Sequence, residues 1–183
     1  MFRELNKASG GIVKLLAIAP EVEGAKECIE ELKDEVVLSV AHTMADYEQA
    51  KEAFEHGVHH VTHLYNAMNP LGHRAPGVIA AAADDPLCMA EMIGDGIHIH
   101  PAVVRNTFRM FGEERIVLIS DSMMATGMPN GTYSLGGQAV WMKDGKATLT
   151  DGETIAGSAT NLYDCMRKVV SFGVPLKEAV WAA

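Results

Sequence analysis

Long apolar runs, paired thiols and basic clusters are all missing from this 183-residue sequence. Its three cysteines, Cys28, Cys88 and Cys165, are scattered without C-x-x-C spacing. That excludes a disulfide framework and a thiolate zinc site, and leaves free thiols suited to a reducing compartment. Positive charge is scarce: 15 Lys and Arg face 24 Asp and Glu, a formal net charge of −9, and aromatics make up only 6% of the chain. With no Lys/Arg cluster interleaved with aromatics, no nucleic-acid surface is expected, and an anionic ligand needs a local cationic group. The apolar run in "MFRELNKASGGIVKLLAIAPE" is too short and too soon interrupted to span a membrane, and no signal-peptide cleavage pattern follows it. The expectation is a cytoplasmic protein without a membrane role.

What is present has the balance of an ordinary globular chain, 48% hydrophobic and 21% charged. The length suits one substantial domain, or part of a larger one, spanning 1–183. Four short runs rich in Val, Ile, Leu or Ala read as buried parallel strands: "IVKLLAIAP", "EVVLSVAH", "HHVTHL" and "RIVLISDS". A fifth candidate is "LCMAEMIGDG". Helical patterns lie between them: "EGAKECIEELKD", with Cys28, Ile29 and Leu32 at core spacing, "MADYEQAKEAFEHG" and "PAVVRNTFRMFGEE". Such alternation implies an α/β fold with right-handed crossovers, either an open doubly wound sheet or a closed (β/α) barrel.

After Asp121 the texture changes. "SMMATGMPNGTYSLGG" reads as a Gly/Met-rich loop and "QAVWMKDGKATLT" as a hairpin turning at Asp144-Gly145, a β excursion over about 130–158. The tail "NLYDCMRKVVSFGVPLKEAVWAA" resumes helical periodicity and stops at Ala183 without a terminating Gly, Asn or Pro, which suggests a truncated chain.

Ligands of parallel α/β sheets bind at the carboxyl ends of the strands. The residues there are Glu21, His42, His63, Asp95 with His98, and Asp121. Two neutral imidazoles and a carboxylate suit a divalent metal, and Asp121 suits a proton carrier. Each has a plainer alternative. A strand-end histidine is commonly a hydrogen-bonded structural residue, Asp121 in "ISDSM" is also a plausible cap, and Glu21 after Pro20 fits a helix start favoured by the dipole. Arg74 in "GHRAPG" is either a solvated charge or a fork for an anion such as phosphate. His59 and His60 fall at a strand's entry end, where a solvated role is expected.

Taken together, "SVAHTMAD", "VTHLYNAMNPLGHRAPG", "IGDGIHIHP", "LISDSMMATG" and "TIAGSAT" resemble the N-acetylglucosamine-6-phosphate deacetylases of the amidohydrolase superfamily, from about residue 12 to the end. The resemblance implies a partial (β/α)8 TIM-type barrel, about the last five strands, with the β excursion after the last. It implies metal-dependent hydrolysis of the acetamide of N-acetylglucosamine 6-phosphate, giving glucosamine 6-phosphate and acetate, with a divalent metal, zinc or iron, as cofactor. By motif, His42 and His63 become metal ligands and Asp121 the catalytic acid/base. Asn66, Ala67, Arg74, Asp95, Gly96, Ile97, His98, Ile155, Ala156 and Gly157 become substrate contacts. Arg74 would serve the phosphate of a neighbouring subunit's site, which implies a homodimer. The family's metal-binding glutamate lies in an E-G-P motif ahead of "IVKLLAIAPE", and this sequence contains no E-G-P. Two other expectations therefore stand beside the first: an amidohydrolase acting on a different amide, and a non-catalytic fragment.

Overall fold

The computed structural model describes all residues 1–183. It is mixed α/β, with a five-stranded parallel sheet in the order β1-β2-β3-β4-β5 and a separate three-stranded antiparallel sheet, β6-β7-β8. Sheet order thus follows chain order, each strand lying beside the one that precedes it. The chain forms two compact units, Met1–Ala90 and Glu91–Ala183.

The first unit contains α1 (Phe2–Ala8), β1 (Leu15–Ile18), α2 (Ala25–Leu32), β2 (Val37–Val40), α3 (Tyr47–Glu55), β3 (His60–Val61), α4 (Gly77–Asp84) and the start of β4 (Met89–Ile93). Its register runs from Leu15 opposite Val37 to Ile18 opposite Val40, then Val40 opposite Val61 and Val61 opposite Ala90. Leu38, Val40 and Val61 are buried, together with Ile29 and Leu32 of α2, Ala50, Ala53 and Phe54 of α3, and Val78 and Ile79 of α4. On α2 the buried row is Ala25, Ile29 and Leu32, with Cys28 on its flank. The expected core positions therefore hold for Ile29 and Leu32, while Ala25 takes the place expected of Cys28. α3 begins at a capping box: Asp46 accepts from Gln49 N–H at 2.9 Å and Gln49 Oε1 from Asp46 N–H at 3.0 Å. Helix α4 went unread in the sequence because "GVIAAAAD" is apolar around most of its circumference and has no amphipathic period to detect. β1 keeps no residue fully buried, and Leu15 and Val37 are exposed.

The second unit contains the rest of β4, α5 (Pro101–Phe111), a 3-10 turn, β5 (Ile116–Ile119), β6 (Gly131–Leu135), β7 (Gln138–Lys143), β8 (Lys146–Leu149), α6 (Leu162–Ser171) and α7 (Leu176–Trp181). The excursion is a three-stranded meander: β6, read from sequence as loop, pairs with β7 from Gly131–Met142 to Leu135–Gln138. Its Gly, Thr and Ser content hid it, because five mostly exposed residues carry no apolar alternation. The turn at Asp144-Gly145 is where expected, joining Lys143 to Lys146. Met123, Ala125, Val140, Met142, Ala147 and Ala156 form a small core of their own, with Tyr133 and Leu149 packed against it. At the end of β4, a Cβ on Gly94 would lie 2.5 Å from Val169 Cγ2, so only glycine lets the strand close on α6. No helix is long and apolar enough to cross a membrane.

Candidate functional site

In the first unit, His42 and His63 each stand two residues beyond a strand, after β2 and β3. Both have left-handed backbones, φ 47° and 35°. That conformation is uncommon for residues with a Cβ, though histidine tolerates it better than most. It turns the two imidazoles toward each other: their Nε2 atoms are 3.0 Å apart, and the rings meet edge to face at 83° with centroids 4.6 Å apart. His63 is 6% exposed, whereas His42 is open to solvent.

Two nitrogens this close share either a proton or a cation. Imidazole–zinc bonds of about 2.0–2.1 Å at a tetrahedral angle hold their nitrogens about 3.4 Å apart, so a small opening of the pair would admit the ion. The donor chemistry therefore fits a divalent metal with two neutral imidazoles. No group of three or more His, Cys, Asp or Glu side chains is arranged around one metal position, so this chain provides a pair of donors and not a full set.

The loop after β3 is locally braced. Asn66 donates from its side-chain amide to His63 O at 3.2 Å and Leu64 O at 3.3 Å, closing the turn behind the histidine. Ala67 is also left-handed, φ 51°, and its carbonyl accepts from Thr43 N–H at 3.0 Å. The two histidine loops are thus tied together. Arg74 is exposed, and with Asp46, Tyr47, Asn69 and Pro76 it lines a cavity of about 690 Å³.

Two residues named from the sequence have partners here that it did not indicate. Glu21 lies in the turn ahead of α2, which starts only at Ala25, so its reading as a helix-start residue does not hold. Its carboxylate instead accepts from Thr43 Oγ1 at 2.5 Å and Met44 N–H at 2.6 Å. Burial opposes its ionisation, but these hydrogen bonds win and hold its pKa below the ordinary carboxylate value. The other is His60, half-buried with Nδ1 2.9 Å from Ser39 Oγ, where burial pushes its pKa down. The expectation of a solvated role fails for His60. It fails for His59 too in part: that ring is 41% exposed but pairs with Asp85 at 3.0 Å. Strand alternation gave no cue to either partner.

In the second unit, the loop after β4 is built around Asp95. Its Oδ1 accepts from Ile97 N–H at 2.8 Å and His98 N–H at 2.9 Å, and its Oδ2 lies 2.8 Å from His98 Nδ1. Both side chains are about 5–6% exposed. Burial disfavours the Asp95 anion, but the His98 ring and the two N–H donors outweigh it and hold the carboxyl below its ordinary range. A carboxylate on Nδ1 draws a ring proton there and fixes the orientation of the ring, so that in its neutral form Nε2 is the acceptor. Gly96, φ 75°, packs over Phe172, where a Cβ would approach Cζ to 2.6 Å, and Ile97 is exposed.

Asp121 follows β5, is exposed, and has φ 50°. Its carbonyl accepts from Ser158 N–H at 2.8 Å, and Met123 N–H donates to Ser158 O at 2.9 Å. "TIAGSAT" is thereby zipped to the Asp121 loop. Within it Ile155 is half-buried, Ala156 is buried in the excursion core, and Gly157 is left-handed, φ 63°, against Met123. The structure brings Asp121 and Ile155–Gly157 together in one unit, and His42, His63, Asn66 and Ala67 together in the other.

No family model matches the chain. Individual relatives do. Over 173 residues, 94% of the chain, it is 40% identical to an N-acetylglucosamine-6-phosphate deacetylase of Bacillus subtilis, covering 43% of that protein. It is 37% identical over its whole length to an N-acetylgalactosamine-6-phosphate deacetylase of Escherichia coli O157:H7, covering 51% of it. Among solved structures, 99% of the chain superposes on 48% of a mutant N-acetyl-D-glucosamine-6-phosphate deacetylase from Mycobacterium smegmatis in complex with N-acetyl-D-glucosamine-6-phosphate, with a TM-score of 0.93 and 37% identity. In sequence and in structure, then, the chain's relatives are deacetylases of amino-sugar phosphates. More particularly, N-acetylglucosamine-6-phosphate deacetylases recur in both comparisons, as the motifs led one to expect. The chain spans about half the length, or somewhat less, of the relatives it matches.

Proposed function

We propose that this chain is the catalytic, C-terminal portion of an enzyme that hydrolyses the acetamide of N-acetylglucosamine 6-phosphate to glucosamine 6-phosphate and acetate. The observation that carries it is the His42–His63 pair, two imidazoles converging at 3.0 Å from successive strand ends in a chain whose relatives are amino-sugar phosphate deacetylases. The five-stranded parallel sheet is part of a (β/α)8 barrel in this reading; β1 is an edge strand with no fully buried residue, which supports continuation of the sheet there.

His42 and His63 would hold a divalent cation, zinc or iron. Bound there, it supplies Lewis acidity toward the acetamide oxygen and lowers the pKa of water. Asp121 takes a proton from the attacking water as its oxygen adds to the amide carbon. It returns that proton to the sugar nitrogen as the C–N bond breaks, so acetate and a free amine leave. Asn66 and Ala67 orient the sugar, His98 presents Nε2 to a sugar hydroxyl, and Ile155–Gly157 close over the acetyl group. Arg74 pairs with the 6-phosphate, reaching a partner's site in a homodimer. A cytoplasmic location belongs to the same reading.

A second substrate is favoured by the E. coli relative: N-acetylgalactosamine 6-phosphate, which differs only at C4. Acetate release from both sugars by the purified protein, with and without chelator, tests the reading. Activity that survives metal removal, or that ignores both sugar phosphates, would sink it. Turnover by the 183 residues on their own would dispose of the non-catalytic alternative.

A further inference from the structure

The segment carrying His42 is bound from two sides. Ala41 N–H donates to Ile18 O at 3.0 Å and Thr43 N–H to Ala67 O at 3.0 Å, while Asn69 Nδ2 donates to Met44 O at 2.8 Å. Those bonds come from the flanking strand and from the β3 loop. Two further donors, Thr43 Oγ1 and Met44 N–H, both converge on one carboxylate, Glu21. Thr43 is 1% exposed, and its hydroxyl also accepts from Ala45 N–H at 2.9 Å, so it is fixed in both roles. A left-handed histidine is unfavourable on its own and persists only where its neighbours over-determine the backbone. His42 is the left-handed residue of this segment, and the carboxylate clamp begins at the very next residue.

Resting on the metal-holding reading of the histidine pair, we infer that Glu21 is a positioning residue for His42. Through Thr43 and Met44 its carboxylate locks the loop that aims the imidazole at His63 and holds that loop against the Ala67 backbone. Glu21 touches neither ring. Its two oxygens are spent on the loop, so it is not a further metal ligand in this arrangement.

Zinc affinity of the purified protein, measured by competition with a chromogenic chelator, is expected to fall roughly 10- to 100-fold in Glu21→Ala and in Thr43→Val, the usual cost of removing an outer partner of a metal-binding histidine. Thr43→Ser, which keeps the hydroxyl, is expected to stay within about twofold of the wild type. A second readout needs no metal: the His42 ring nitrogen resonances shift or broaden in Glu21→Ala and Thr43→Val, while those of His98 stay in place. Should Glu21→Ala fail to fold, the Thr43→Val and Thr43→Ser pair decides. Unchanged His42 resonances, or equal affinity losses in the two Thr43 variants, overturn the inference. His42→Ala separates it from the reading beneath: wild-type zinc affinity in that variant removes the metal role, and the His42 resonances in Glu21→Ala still decide the clamp.

Discussion

His42 and Asp144 have nearly the same φ, 47° and 51°, yet only Asp144 occupies a turn that asks for it. Asp144-Gly145 joins β7 to β8 with positive φ at both residues, the geometry a tight hairpin requires, and Asp-Gly is a favoured pair there. Asn130 adds two hydrogen bonds to Asp144, one to its N–H and one to its carboxylate. At His42, His63 and Asp121 no hairpin is being made: each ends a parallel strand. Asp121 is held by a bond from the Ser158 loop, His63 by Asn66 within its own turn, and His42 through the bonds of Ala41 and Thr43 on either side; glycine would suit all three better. The same conformation thus serves turn chemistry in one region and side-chain aim in the other.

The sharpest way to break this comparison is to give each region the residue its backbone prefers. Asp121→Gly relieves the left-handed backbone but removes the carboxylate. Acetate-release kcat is expected to fall about 10²- to 10⁴-fold, as for loss of a general acid/base, with no loss in Tm. Asp144→Gly is expected to leave kcat within about twofold and to cost about 1 kcal/mol or less, through its Asn130 contacts. Near-normal kcat in Asp121→Gly would place that residue with Asp144, as a turn residue only.

Glycines make the same contrast at the next size of effect. At Gly94 the limit is space: a methyl group would enter Val169, so Gly94→Ala is expected to cost about 1–3 kcal/mol in denaturant unfolding. At Gly145 nothing lies within 4 Å of the added Cβ and only φ 81° opposes it, so Gly145→Ala is expected to cost about 1 kcal/mol. Equal costs at the two sites would mean that the chain at Gly94 does not press on Val169 of α6.

How much of this was legible beforehand depended on the kind of signal. β1, β2 and β5 are dense in Val, Ile and Leu, and their short runs made these strands legible; the residues just past β2, β3 and β5 are His42, His63 and Asp121. β6 was illegible because Gly131–Leu135 is mostly exposed and carries no alternation. α4 was illegible because its alanines face every side. Glu21 was visible as a strand-end carboxylate, but local sequence could offer it only a ligand role or a helix start. Its partners Thr43 and Met44 are more than 20 positions away, a separation at which only the fold decides who meets whom.

The smallest expected effect separates the two units by acid. Burial lowers the pKa of His60 below its ordinary value of 6.5, so the unfolded chain takes up a proton there before the folded one does. The stability linked to His60 is complete above about pH 6.5 and is lost as pH falls from that value through the folded pKa. Asp95 is held below its ordinary 3.8 despite burial, by His98 and the N–H groups of His98 and Ile97. Its contribution is complete above that pH and is lost as pH falls through the lower folded value. Amide exchange at Val40 in β2 and at Ile93 in β4 should therefore part company on acidification, with Val40 losing protection first. His60→Gln, which can still meet the Ser39 hydroxyl, should flatten the earlier loss and leave the later one unchanged. Val40 protection that stays constant from pH 7.5 down to about 5 would mean that His60 is protonated in the fold and that Ser39 does not hold it as a neutral ring.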